Sequence, residues 1–182
     1  MAKILLTGFV SVAICGLLFT SAAAQPFRHL TAFDFRGAAN SLGEGVAYTN
    51  CSIEYRYIAR KERGYYVLDF TVRLKMNSDM SWIDRRIIRT PELLAEILKH
   101  EQGHYNIAYM EQQELLRTIS KTVFYADYQR VAQNIFSRID AKYQQLNQDY
   151  DNDTAHSVNR QQQHSWDVFF QRNLGTEYLA RN

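Results

Sequence analysis

Two histidines four residues apart, with a glutamate after the first, are the side chains in this sequence best placed to do chemistry: His100-Glu101-Gln102-Gly103-His104. On a helix, positions i and i+4 project from one face, a turn apart. Two imidazoles placed in this way can share one tetrahedral zinc ion. Glu101, one position round the helix, can reach a water beside such an ion. There it would act as a general base and then carry the proton to a leaving amine. The chemistry implied is hydrolysis of a peptide bond by water, with one Zn2+ as cofactor. Three fixed positions in five recur by chance in about one chain in a hundred of this size, so the surroundings have to decide.

A zinc ion in such a site needs a third protein ligand, and the sequence excludes several. In the metzincin pattern a glycine and a third histidine follow the second histidine at +3 and +6. Those positions here are Ile107 and Met110. In the gluzincin pattern a glutamate on a following helix completes the site, but after Glu114 the next glutamate is Glu177. Glu111 lies seven residues past His104, about 10 Å along the same helix, too far to share the ion. His156, Asp151, Asp153 and His164 remain, with some outlying aspartates. His156 is the preferred third ligand, since a third neutral imidazole leaves an open position for water and polar connections are where functional residues gather. Asp151 and Asp153 come next, as ligands or as groups that orient a ligand imidazole. His164 sits in a Gln-rich stretch and reads as solvated. Tyr105, Tyr125 and Tyr150 are candidates to stabilise an oxyanion.

These side chains need elements to hold them. From Val46 to Met76 apolar and polar residues alternate. Cys51, Ile53, Tyr55 and Tyr57 share one face, as do Tyr66, Leu68, Phe70, Val72 and Leu74. A charged loop, 59–64, ends in Gly64 between them. The pattern predicts an antiparallel hairpin with one buried face. It could offer an edge on which a peptide substrate lies as an added strand. Short strands are expected at Phe33 to Phe35 and near Trp82 to Ile88. From Thr90 the period becomes helical. Thr90 is a natural N-cap, Pro91 suits the first turn and Glu92 complements the helix dipole. This helix is expected to run from Pro91 to about Ser120. A second is expected from about Ala126 to Gln148, followed by a polar loop through Ser157, and a third from Arg160 to Arg172. The fold class is α+β: a small antiparallel sheet, then a long helix bearing the motif, then two further helices.

The first residues set the compartment. Lys3, the apolar run Ile4 to Phe19 and the small residues Ala22-Ala23-Ala24 form a secretory signal peptide over 1–24. The apolar run is shorter than a membrane span needs, so no span is expected after cleavage. Cleavage removes one lysine and no acid, so the formal charge falls from +2 to +1. It also removes Cys15, leaving Cys51 without an intrachain partner on the buried face of the hairpin. No charge run or motif marks a nucleic-acid surface. Residues 25–182 are expected to form one domain, β-rich over 30–89 and helical over 90–174, exported to the periplasm or beyond the cell.

From about Leu30 to Trp166 the chain resembles a bacterial family described as secreted zinc-dependent proteases, domain of unknown function 922. The resemblance rests on the hairpin region, Ser81-Trp82-Ile83, the run Leu98-Lys99-His100-Glu101-Gln102-Gly103-His104-Tyr105-Asn106-Ile107-Ala108, and Tyr150-Asp151, Thr154, His156, Gln163 and Trp166. It implies a zincin-like metallopeptidase domain with His100 and His104 as metal ligands and Glu101 as the catalytic residue. His156 matches a family histidine, although Ser157 stands where a glycine is expected. Two other functions suit the same residues. One is a non-catalytic envelope binding or scaffold protein with a structural zinc, for which Glu101 has no use. The other is a zinc amidase acting on cell-wall peptides instead of proteins.

Overall fold

The computed structural model describes residues 26–40 and 45–175. The signal peptide expected over 1–24 lies outside the described residues. Two small antiparallel sheets precede three helices, the α+β arrangement expected from the change of period. Among the described residues no helix is long and apolar enough to cross a membrane.

The hairpin consists of β2 (Cys51–Lys61) and β3 (Tyr66–Met76). The two strands pair in register from Cys51↔Met76 to Lys61↔Tyr66. That register puts Ile53 opposite Leu74, Tyr55 opposite Val72 and Tyr57 opposite Phe70, so the two apolar stripes share one face. Phe70, Val72 and Leu74 are buried, while Asp69, Arg73 and Lys75 are exposed. The strands run further into the charged segment than expected, and only 62–65 form the turn. Gly64 there has φ +88°, a conformation that favours glycine.

The expected single hairpin is in fact two pairings. β1 (Ala47–Tyr48) pairs with β4 (Trp82–Ile83) in a separate sheet. Thr49 and Asn50 carry the chain from one sheet to the other. Ser81 fixes this crossing, since its buried hydroxyl accepts from the Asn50 N–H at 2.8 Å and donates to the Asn77 carbonyl at 2.9 Å. The strand expected at Phe33 to Phe35 is instead a 3-10 turn, Ala32–Asp34. The Asp34 carboxylate accepts from the Thr31 N–H and hydroxyl at 2.7 and 3.1 Å, and such local bonds favour a turn over a ladder. The strand expected near Trp82 to Ile88 stops at Ile83, because Asp84 bonds the Arg86 N–H at 3.0 Å and turns the chain.

The first helix, α1 (Pro91–Ser120), has the expected bounds. Thr90 caps it by accepting from the Leu93 N–H at 3.2 Å, a contact worth about 1 kcal/mol. Between 97 and 109 burial extends round most of its circumference. That follows from its place: it packs against the hairpin and β1 as well as α2 (Tyr128–Thr154) and α3 (Arg160–Leu174). The end of α2 differs from expectation. The helix continues six residues past Gln148, so Asp151 and Asp153 belong to its last turn and not to a loop. Tyr143, Tyr150 and Thr154 are buried on one helical stripe, at 4 %, 0 % and 0 % exposure. Burying a side chain of that size contributes about 1.5–3 kcal/mol, which carries the helix through the polar residues between them.

Candidate metal centre

The middle of α1 delivers His100 and His104 to one place, as their spacing requires. Their Nε2 atoms lie 3.3 Å apart. From the last turn of α2, Asp151 brings Oδ1 to 3.3 Å from His100 Nε2 and 3.1 Å from His104 Nε2. Beyond that helix, His156 places Nδ1 3.3 Å from the same oxygen. Three imidazoles therefore meet one carboxylate oxygen. That oxygen is buried, and none of the three nitrogens aligns an N–H on it well enough for a hydrogen bond.

The far sides of the rings explain why. His104 Nδ1 lies 2.9 Å from Asn147 Oδ1 on α2. His100 Nδ1 lies 3.3 Å from both Gln163 Oε1 on α3 and the Thr154 hydroxyl oxygen. The amide of Gln163 is oriented by donating its NH2 to Asp167 at 3.2 Å, so oxygen faces His100. The Thr154 hydrogen is committed to the Tyr150 carbonyl at 2.6 Å, so oxygen lone pairs face the ring there too. Both Nδ1 atoms are thus donors, and both Nε2 atoms turn lone pairs toward Asp151. Only a cation, proton or metal, reconciles acceptors this close. His104 shows the pull: burial opposes its charged form, but Asp151, Glu101 and Asn147 overrule it and raise the imidazole to about 9. Burial likewise opposes the charge on Asp151, and the two imidazoles hold its carboxyl well below the usual carboxylate range.

The spacing fits a metal of known size. Tetrahedral zinc with bonds of about 2.0–2.1 Å has donor-to-donor edges of about 3.3–3.4 Å. The three separations among His100, His104 and Asp151, 3.1–3.3 Å, match those edges, and His156 stands 3.3 Å from Asp151 beside them. His100, Glu101 and His104 form one group able to hold a metal ion, and His100, Asp151 and His156 form another. Of the residues singled out in the sequence, His100, Glu101, His104, Asp151 and His156 come together. Asp153 does not, because its carboxylate accepts from the Trp166 indole at 3.0 Å. His164 is exposed, as expected.

Glu101 is buried, at 3 % exposure. Its Oε2 accepts a 2.6 Å hydrogen bond from Thr49 at the crossing between the sheets. Nothing in the local sequence marks Thr49, Asn147 or Thr154 for these roles, because each partner is more than 40 residues away. Gly103 in the middle of the motif also has a visible reason. A Cβ there would overlap the Tyr150 phenol. The Tyr150 ring instead stacks on His100, 4.7 Å between centroids and 13° from parallel, and its hydroxyl bonds the His100 carbonyl at 3.0 Å. That excludes Tyr150 as an oxyanion donor. Tyr105 is buried at 1 % exposure and Tyr125 lies beyond the C-terminal end of α1, and neither lines the cleft that holds the cluster.

The cluster lies at one end of a cleft of about 750 Å3 between α1, α2 and the segment from Val46 to Ile53. Cys51 lines it, half-buried. Burial, joined by the negative charge of Glu101, pushes the thiol up to about 12, so it stays protonated. Farther along the cleft, Glu111 on α1 and Asp140 on α2 complete the wall. A family described as "Bacterial protein of unknown function (DUF922)" matches residues 27–157. No curated protein and no solved structure matches the chain.

Proposed function

The chain belongs to the DUF922 family, and we propose that it is an exported zinc-dependent metallopeptidase. One observation carries this reading: the lone pairs of His100, His104 and Asp151 converge at tetrahedral edge distances directly beside the buried carboxylate of Glu101. A structural clip has no use for that carboxylate. A hydrolase uses it as a base.

His100, His104 and Asp151 would hold the ion, with His156 beside them. When bound, zinc polarises a carbonyl and lowers the pKa of water toward neutrality. The rest falls to the chain. Thr49 donates to Oε2 of Glu101 and so fixes the carboxylate while leaving its other oxygen to accept a proton. Glu101 takes the proton from an attacking water and returns it to the leaving amine. Asn147, Gln163 and Thr154 keep both ligand imidazoles in one tautomer. The edge of β2 away from β3 borders the cleft, so an extended peptide can add there as a strand. The same chemistry serves a cell-wall peptide as well as a protein. The apolar leader over 1–24 supports export.

The test is purified chain from 25 to 182, titrated with Zn2+ and assayed on a mixed library of protein and cell-wall peptides. One equivalent of zinc and chelator-sensitive cleavage are expected. Failure to bind zinc at neutral pH would overturn the proposal. Zinc binding without cleavage of any library member would instead favour the structural site.

A further inference from the structure

Four protein donors in one cluster pose a problem for the hydrolase. A site closed by four protein ligands leaves no place for water or substrate, whereas a catalytic site keeps one position open. Asp151 and His156, the two donors from the end of α2, differ in how they are held.

Asp151 stands within the helix and reaches both motif histidines, at 3.3 and 3.1 Å. His156 reaches only Asp151 Oδ1, at 3.3 Å, and its ring centroid is 6.3 Å from that of His100. Its side chain is 52 % exposed, against 4 % for His100, 14 % for His104 and 32 % for Asp151. It also rides on a left-handed segment. Ala155, His156 and Ser157 have φ of 45°, 51° and 80°, conformations L residues rarely adopt. Backbone bonds hold the segment itself in place: the Ala155 and His156 N–H groups donate to the Asp151 carbonyl, the latter at 3.3 Å, with Asn159 N–H on Thr154 O at 2.8 Å and Val158 N–H on Ala155 O at 3.2 Å.

We infer that Asp151 is the resident third ligand and that His156 is a displaceable fourth, capping the position that water or substrate takes when it swings away. The inference rests on the proposed metal centre and goes beyond it. A chain loaded with metal in the absence of substrate carries four protein donors. A substrate or inhibitor that offers an oxygen to the metal replaces His156 and leaves the other three in place. The exposed ring, held by one contact, can leave by rotating about its side-chain bonds while the backbone bonds of the segment and α2 stay in place.

The test uses the same chain loaded with Co2+, whose visible absorption reports donor number, and Zn2+ affinity measured by competition with a chelator. His156→Ala and His156→Gly are compared with Asp151→Asn and His104→Ala. Glycine at 156 accepts the positive φ, so it removes the imidazole without adding strain. Both His156 variants should keep one equivalent of metal, with affinity lowered about tenfold or less. Their Co2+ spectra should shift from the wild type, and acetohydroxamate should bind more tightly. Asp151→Asn should lose roughly a hundredfold or more, as His104→Ala does, because replacing even the groups that orient ligands costs about 10–100-fold. If the His156 variants lose metal as completely as His104→Ala, or leave the Co2+ spectrum unchanged, the division of roles is overturned while the metal site stands. A wild type that binds neither ion overturns both.

Discussion

The two ends of the cleft treat buried charge in opposite ways. At the His100 end the three titratable groups of the motif each have a partner aimed at them: Thr49 on Glu101, Asn147 on His104, Gln163 and Thr154 on His100. At the other end Glu111 faces Asp140, a charge of its own sign. Burial, then that neighbour, raises its carboxyl from 4.5 to about 8. The first arrangement keeps its groups in fixed orientations. The second keeps Glu111 largely neutral at pH 7. Burial alone therefore does not make a site; oriented partners do.

Four substitutions can break or sharpen this contrast. The largest effect is expected from Glu101→Gln, which keeps the shape and the Thr49 contact but removes the base. Hydrolysis should fall by about 100-fold to 10,000-fold while zinc stoichiometry, read by metal analysis, stays at one. A variant that cleaves at the wild-type rate would remove Glu101 from the chemistry. Next comes Asn147→Leu, which leaves the His104 tautomer unset. Zinc affinity should drop about 10–100-fold, measured by chelator competition, with circular dichroism unchanged. Gly103→Ala follows. The added Cβ overlaps the Tyr150 ring, and overpacking of this kind costs roughly 1–3 kcal/mol, a fall in Tm of roughly 2–4 °C per kcal/mol. Part of that loss should return in the Gly103→Ala, Tyr150→Ala pair, since contacting residues couple; simple additivity would show that the two do not meet.

The smallest effect belongs to the far end. Unfolded Glu111 titrates near 4.5 and folded Glu111 near 8. Between those values the unfolded chain has released a proton that the folded chain keeps, so stability falls as pH rises through this window and stays low above it. Glu111→Gln abolishes that dependence. Its Tm should exceed the wild-type value at pH 8.5 by a few degrees, about 2–4 °C for each kcal/mol recovered, and converge with it near pH 4. Equal melting curves at pH 8.5 would show that the carboxylate is well solvated after all.

Local pattern and distant partnership account for what the sequence disclosed. The helix from Pro91 to Ser120 was legible because its cap, first turn and apolar spacing are all local, and the His100–His104 pairing follows from helix geometry alone. The β2–β3 alternation was legible for the same reason. The end of α2 was misread because Asp149, Asp151, Asn152 and Asp153 hide a stripe of Tyr143, Tyr150 and Thr154 whose spacing is helical. Asp151 was visible as a candidate beside His156. That it touches both motif histidines depends on how α2 docks, which no local spacing records. Thr49 lay beyond reach altogether: its partner Glu101 is 52 residues away, joined through the crossing between two sheets that the alternation had merged into one.

The notch at Gly103 has a mechanical consequence. Tyr150 lies immediately before Asp151 on α2, and its phenol occupies the one place along α1 where a side chain is missing. The pair works as a key in a slot between two long rods. Sliding α2 by a single residue would move its carboxylate about 1.5 Å, whereas metal–donor distances tolerate only about 0.2 Å. Two smooth helices packed by apolar contact would have several nearly equal alignments. This one has a detent, and the detent stands one residue from the donor whose position matters most.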